Sequence, residues 1–348
     1  MAALTPPLWI VGAGAVTAAG MTAPQTCAAF RASLTGFEMM VLSDPFGAEQ
    51  TVARIPAHWQ LRTDDGAWIV NMAARAICEA MAGVPNVEAA RTALLLTPPE
   101  SGRQHPCYAH IAPGDLLAHV ITKTGHAFHR QSRAFDGGAA AGLAALSHAA
   151  TLISRGEVSQ VVLAGVDSLV NDRDIGRLSA ANRLQGPQNS QGLIPGEGAA
   201  AVVLAAGGTG ADASCAILTI ASAAEKDSAV SERFSQGKAL LSALKEASGN
   251  GQGEPQIDFI LSNANGERYG FLEAMLARAR FFRTRRDRLL AVYPAMAAGD
   301  IGAASAALAL VVASDAFARN YAPGRIAAVE VASESGLRSV AVIRSGIA

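Results

Sequence analysis

The side chains best suited to nucleophilic or metal chemistry are four cysteines, Cys27, Cys78, Cys107 and Cys215, and seven histidines, all of which precede residue 150. A cysteine becomes a nucleophile where a base or a helix N-terminus favours its thiolate. Cys107 and His110 form the closest such pair along the chain, but catalytic pairs are made by spatial geometry, so a core or surface role is the default. No cysteines share the short spacing of a zinc ligand set or a disulfide framework, and reduced thiols are expected. His126 and His129 stand at i, i+3, flanked by Lys123 and Arg130 with no carboxylate following, which points to a polar helix end rather than a metal site. Gly12, Gly14 and Gly20 do not fit the G-x-G-x-x-G spacing of a dinucleotide turn, and no acidic residue ends a second strand at the ribose position. Neither metal nor cofactor is expected. One charge cluster stands out: Arg278, Arg280, Arg283, Arg285, Arg286 and Arg288, with Asp287 the only acid among them. It reads first as a solvated helix end and loop, and otherwise as a docking surface for an acidic partner through charge-assisted contacts.

Phe135 to Val170 organises the elements that would have to position such groups. Asp136 is placed to cap a helix whose apolar face runs Ala139, Leu143, Leu146, Ala150 and Ile153, and Gly142 allows close backbone packing. Gly156 ends that helix, and Val161 to Gly165 is apolar on both faces, as a strand covered on two sides must be. Gly299 to Leu310 repeats the Gly/Ala-rich helix, suggesting a duplicated α/β unit. Before the first of these helices the sequence predicts a strand from Trp9 entering a glycine-rich turn, a helix over 22–34, an irregular stretch over 41–62, a helix over 67–81, a strand over 92–97 and a helix over 116–124. Arg133 to Phe135 reads as an edge strand, 171–190 as polar turns, and 199–204 as the strand closing the first half. The second half reads as strands over 215–221, 259–262, 291–293, 326–332 and 339–344, with helices over 237–247, 271–282 and 302–316. The halves fall at 1–207 and 214–348.

The two Gly/Ala helices, together with Leu193-Ile-Pro-Gly-Glu-Gly-Ala-Ala-Ala-Val-Val-Leu204, resemble the β-ketoacyl synthases of the thiolase superfamily, over most of the chain. The resemblance implies an α/β, five-layer αβαβα fold from two pseudo-repeated halves. It also implies a cysteine nucleophile at the start of the first Gly/Ala helix, where this sequence has Ala139. The first family histidine lies in an Asn-Ala-His-Gly turn, matched here by Asn263-Ala264-Asn265-Gly266. The second precedes the later Gly/Ala helix, where Gly299 is the nearest match and Asp300 the alternative. Alanine forms no thioester, and asparagine exchanges no proton near neutral pH. Pro294 stands near the place of a lysine, and the glycine-rich loop near the carboxyl terminus is cut down to Ser335-Gly336-Leu337-Arg338.

With 348 residues and 50% hydrophobic content the chain can build a large core. A formal charge of −1 argues against general nucleic-acid binding, and no apolar run reaches the roughly 18–20 residues that span a bilayer. The amino terminus lacks a signal-peptide pattern, so a cytoplasmic location is expected. The function these readings imply is a non-catalytic, dimeric, ketosynthase-like binding protein. It resembles short thiolase-like proteins of type VI secretion loci, with a secretion adaptor or effector as partner, or chain-length-factor subunits, which pair with an active ketosynthase.

Overall fold

The computed structural model describes residues 2–41, 49–59, 61, 67–84, 87–101, 113–207, 213–231 and 233–346. Its first half runs β1 (Ala2–Thr17), α1 (Ala23–Arg31), β2 (Glu38–Val41), β3 (Glu49–Val52), α2 (Trp68–Ala82), β4 (Thr92–Thr97), α3 (Pro113–Thr124), β5 (Arg133–Ala134), α4 (Ala141–Ser154), β6 (Gln160–Ser168), α5 (Asp172–Ala180) and β7 (Glu197–Ala206). The second runs β8 (Cys215–Ala224), α6 (Lys238–Ala247), β9 (Phe259–Ser262), α7 (Arg268–Phe281), β10 (Leu290–Val292), α8 (Ala295–Ala298), α9 (Ser305–Ala318), β11 (Ile326–Ala332) and β12 (Leu337–Ser345).

The duplication is visible in the sheet. Strands of the first half lie in the order β1-β7-β6-β4-β5 and those of the second in the order β8-β12-β11-β9-β10. In both, the first two pairings are antiparallel and the last two parallel. The halves join where β1 pairs antiparallel with β8. Helices α4 and α9 touch strands of both halves and therefore lie between them, while α2 and α3 cover the first half from outside and α6 and α7 the second. The layer order is αβαβα. All six residues of β4 are buried, because helices cover both its faces. Helix α9 is buried almost all round for the same reason. Gly142 of α4 faces Ala306 of α9 so closely that a Cβ at Gly142 would lie 2.7 Å from the Ala306 Cβ.

Four local expectations are corrected. Gly12 and Gly14 lie inside the long strand β1 rather than in a turn after it. They are glycines because the backbone of α2 passes over them: a Cβ would meet the Ala80 carbonyl oxygen at 2.2 Å from Gly12, or that of Ala76 at 2.1 Å from Gly14. Asp136 does not cap α4. Gly137 and Gly138, both at positive φ, insert a turn ahead of the helix, and the Asp136 carboxylate accepts instead from the backbone N–H groups of Gly137 and Ser101. At the helix start the Ser333 hydroxyl, from the far half, accepts the Ala140 N–H at 2.8 Å. The polar stretch after β6 contains helix α5, capped by Asn171, whose side chain accepts from the Asp174 N–H. The stretch expected to be irregular contains the hairpin strands β2 and β3. At the other end of α4 the expectation holds: Gly156 adopts φ 68°, and the Glu157 N–H reaches back to the Leu152 carbonyl.

Candidate functional site

The ends of the parallel strands of both halves deliver their loops to one place. Ala139 arrives on the turn before α4, Asn263 to Asn265 follow β9, Asp300 stands between α8 and α9, and Ser333 and Glu334 follow β11. Together they line a cavity of about 90 Å³. Asn263 locks the ends of the neighbouring strands β9 and β11 together, its amide donating to the Ala332 carbonyl at 2.9 Å while its oxygen accepts the Ala332 N–H at 2.9 Å.

Two of the three sequence-matched positions, Ala139 and Asn265, therefore do meet. Gly299 does not join them: at φ 67° it packs against Ala53 and Gly196, where a Cβ would come within 2.8 Å of the Ala53 Cβ. The neighbouring Asp300 lines the cavity instead, and its carboxylate accepts the Asn265 amide at 2.7 Å and the Gly302 N–H at 2.9 Å. Gly302 must be glycine, because a Cβ there would lie 2.0 Å from the Asp167 carboxylate.

What fills the site is a network of ion pairs that the sequence did not suggest. Arg183 binds Glu267 in bidentate fashion, at 2.6 and 2.9 Å, and also pairs with Glu334. Arg177 meets Glu334 at 2.7 Å and Asp174 at 3.2 Å. Asn265 adds an amide donor to Glu267 at 3.2 Å. On the adjoining wall Arg338, fully buried, donates to Glu273 at 2.8 Å, to the Ser333 carbonyl at 2.8 Å and to the Tyr269 hydroxyl at 3.2 Å. Burial alone would lower the Arg183 guanidinium pKa, but Glu267 and Glu334 outweigh it and hold the group firmly charged. One signal for the second wall was present in β12: Arg338 falls on the same strand face as the core residues Val340 and Val342, and a charge on an apolar face needs a buried partner.

The remaining expected groups lie elsewhere. Among the described residues no cysteine or histidine lines the cavity. Cys27 and Cys215 are buried, and burial pushes the Cys27 thiol up to about 12 and raises that of Cys215. Burial also raises the Cys78 thiol, so none of the three is an activated nucleophile. Cys107 and His110 lie outside the described residues. His126 packs its ring edge-on to Phe128 and His129 accepts the Gln131 N–H. No group of three metal-ligating side chains converges among the described residues.

The arginine cluster is divided rather than continuous. Arg278 is turned inward to Glu330, and Arg286 pairs with Glu254 and donates to the Ile257 carbonyl at 2.6 Å. Arg280 donates to the Gln236 carbonyl at 2.7 Å and Arg283 to the carbonyl of Arg280 at 3.1 Å. Arg283, Arg285 and Arg288 are exposed. Arg278 and Arg286 are thus engaged within the fold, and the six do not form one continuous exposed surface.

The network makes a pH prediction. Burial would raise the Glu334 carboxyl, but Arg183 and Arg177 overcome it and hold it below the usual glutamate range. A depressed folded-state pKa means that this stabilisation is complete above the unfolded value, about 4.3, and is lost as pH falls through the lower folded value. The melting temperature of the wild type is expected to drop on acidification from about pH 5 to 3. Glu334→Gln, less stable at neutral pH, is expected to show a shallower drop over that window; parallel curves would remove Glu334 as a contributor.

The geometry defines the class of fold: a thiolase-like fold of the ketosynthase type, with its site at the junction of the two halves. Residues 116–207 match the family described as beta-ketoacyl synthase, N-terminal domain. No curated protein matches the sequence. Among solved structures, a type II polyketide synthase acyl-carrier protein in complex with its ketosynthase bound to the hexaketide aligns with a TM-score of 0.80 at 16% identity, over 97% of this chain and 99% of that one. The ishigamide ketosynthase/chain length factor aligns with a TM-score of 0.72 at 17% identity, and a beta-ketoacyl synthase from Burkholderia phymatum STM815 with 0.77 at 15%, both over 97% of this chain and 99% of the other. At these identities the likeness is one of fold.

Proposed function

We propose that this protein uses the ketosynthase fold without its chemistry and acts by binding a protein partner. The carrying observation is Ala139. A methyl group lines the cavity at the position matched to the nucleophile, with no cysteine or histidine among the other described lining residues. The proton-exchanging groups on its walls are mainly carboxylates, and these are engaged: Glu267, Glu273 and Glu334 by Arg183, Arg338 and Arg177, and Asp300 by the Asn265 amide and the Gly302 N–H. At about 90 Å³ the cavity has room for a few water molecules, well short of the roughly 300–1,000 Å³ of small-molecule pockets. An accessory adaptor or co-chaperone, as in type VI secretion effector loading, is the first reading. It is supported by the reduced turn after β11, where Gly336 closes directly onto Ser333. A subunit pairing with an active ketosynthase is the second, and the structural likeness to a ketosynthase/chain length factor favours it.

Intact-mass spectrometry after incubation with acyl-CoA or acyl-carrier protein tests the reading. No adduct is expected, and a stable acyl adduct on any cysteine would sink it. Ala139→Cys alone is expected to give no condensation. Its neighbour Gly138 lies against the Glu100 carboxylate, where a Cβ would come within 2.6 Å, and a nearby negative charge disfavours a thiolate. Condensation by that single variant would show that the pocket retains the rest of the machinery. Co-purification from native cells separates the two partner readings: an active ketosynthase with its carrier protein supports the second, a secreted effector the first.

A further inference from the structure

We propose that the outer face of α7 is a docking groove for an acidic amphipathic helix of a protein partner, an inference that rests on the partner-binding half of the reading above. Helix α7 is apolar on more than one side. Ala274, Ala277 and Phe281 face inward into the core beneath α6 and α7. Phe271 and Met275 point away from that core, 40% and 60% exposed. With Leu272, Phe282 and Leu289 they line an open groove of about 790 Å³. Phe271 and Met275 stand at i, i+4 on one face of α7, and Phe282, the residue that caps the helix, closes the groove at its far end. An apolar stripe of this kind on a surface helix is the half-site of helix-in-groove recognition.

Charge selects the occupant. Among the described residues no carboxylate lines the groove: Glu267, Glu273 and Glu330 are turned onto Arg183, Arg338 and Arg278, and exposed Asp287 is outnumbered in its loop by Arg283, Arg285 and Arg288. Cations stand at both ends. Arg268 opens α7, with its guanidinium over the exposed Phe234 ring at 5.8 Å, and the loop from Phe282 to Leu289 carries exposed Arg285 and Arg288. Neither loop arginine makes an ion pair with a described residue. A second copy of this chain would bring like-charged ends together across a two-fold contact, whereas a partner helix bearing Asp or Glu beside its apolar stripe meets opposite charge at each end. The 14 residues of α7 span about 21 Å, so a partner helix of similar length covers the groove.

The probe is a helix-stabilised synthetic peptide of about 14 residues, with Leu at i, i+4, i+7 and i+11 and Glu at the flanking positions. Its controls are the same peptide with Lys for Glu and a scrambled acidic sequence, and binding to the full chain is read by fluorescence anisotropy at low and high salt. The acidic amphipathic peptide is expected to bind at least about tenfold more tightly than either control, and more weakly at high salt. Met275→Glu and the Arg285→Glu/Arg288→Glu double variant are each expected to lose about tenfold while melting as the wild type does. Equal binding of the acidic and lysine peptides, no binding, or indifference to both variants would overturn the proposal. So would self-association in sedimentation velocity that Met275→Glu abolishes, which makes a second copy the occupant, or Met275-dependent binding to phosphatidylglycerol vesicles, which makes it a lipid surface. Failure of the peptide leaves the acylation result untouched, and an acyl adduct leaves the groove result untouched, so the two readings fail separately.

Discussion

Replacing Glu273 by alanine is expected to lower folding stability by about 3–5 kcal/mol, because it leaves the Arg338 guanidinium charged and without its carboxylate in a fully buried position. The side chain has no exposed surface, and its other partners, the carbonyls of Ser333 and Leu337 and the Tyr269 hydroxyl, are neutral. The same substitution also strips an acceptor from the Ser235 hydroxyl. Removing both members of the pair, as Glu273→Leu with Arg338→Met, is expected to recover most of the loss, since a buried ion pair gains little over a well-packed apolar pair once desolvation is included. Urea unfolding of the single and double variants measures both numbers. A loss below about 1 kcal/mol for Glu273→Ala would mean that water reaches Arg338.

Gly142→Glu is expected to be as damaging, at several kcal/mol or outright failure to fold. The contact distance leaves no space even for a methyl group between α4 and α9, and a carboxylate there would have no cationic partner in a layer closed by both halves of the sheet. Asn265→Ala provides the contrast. It removes hydrogen bonds from a half-buried side chain, and a cost of about 1 kcal/mol is expected. Thermal unfolding of the two variants side by side reads the difference, and similar melting temperatures would mean that the central helices separate more easily than their packing implies.

The sequence disclosed the fold best where local pattern and tertiary environment agree. The strands over 92–97, 259–262 and 326–332 are read to the residue, because each is a mainly apolar run, buried over most of its length. It misled at Gly12 and Gly14, where glycine serves the approach of another backbone rather than a turn, and sequence does not show which backbone is near. Helix α5 was hidden because only Asp174, Ile175 and Leu178 are buried, so it carries almost no apolar stripe. At the site, Ala139 and Asn265 could be found because motifs fix them locally. Arg183 pairs with residues 84 and 151 positions away, and no local pattern announces such a pairing. The choice between Gly299 and Asp300 likewise needed the backbone, since one residue of register decides which of the two faces the cavity.

The seam between the two halves has a consequence for synthesis. Strand β1 is made long before either of its neighbours: Leu8 pairs with Ala206 of β7 and Trp9 with Ala216 of β8. At about 5–20 residues per second, β1 waits on the order of ten seconds or more for either edge to be covered. During that interval a largely apolar segment, with unpaired backbone groups on both sides, is available to pair with any other emerging chain. The first half of this protein cannot close behind the ribosome as a finished unit, because its final antiparallel neighbour belongs to the second. Yield in the cell should therefore depend on holdase chaperones that shield nascent chains more than the stability of the finished fold would suggest.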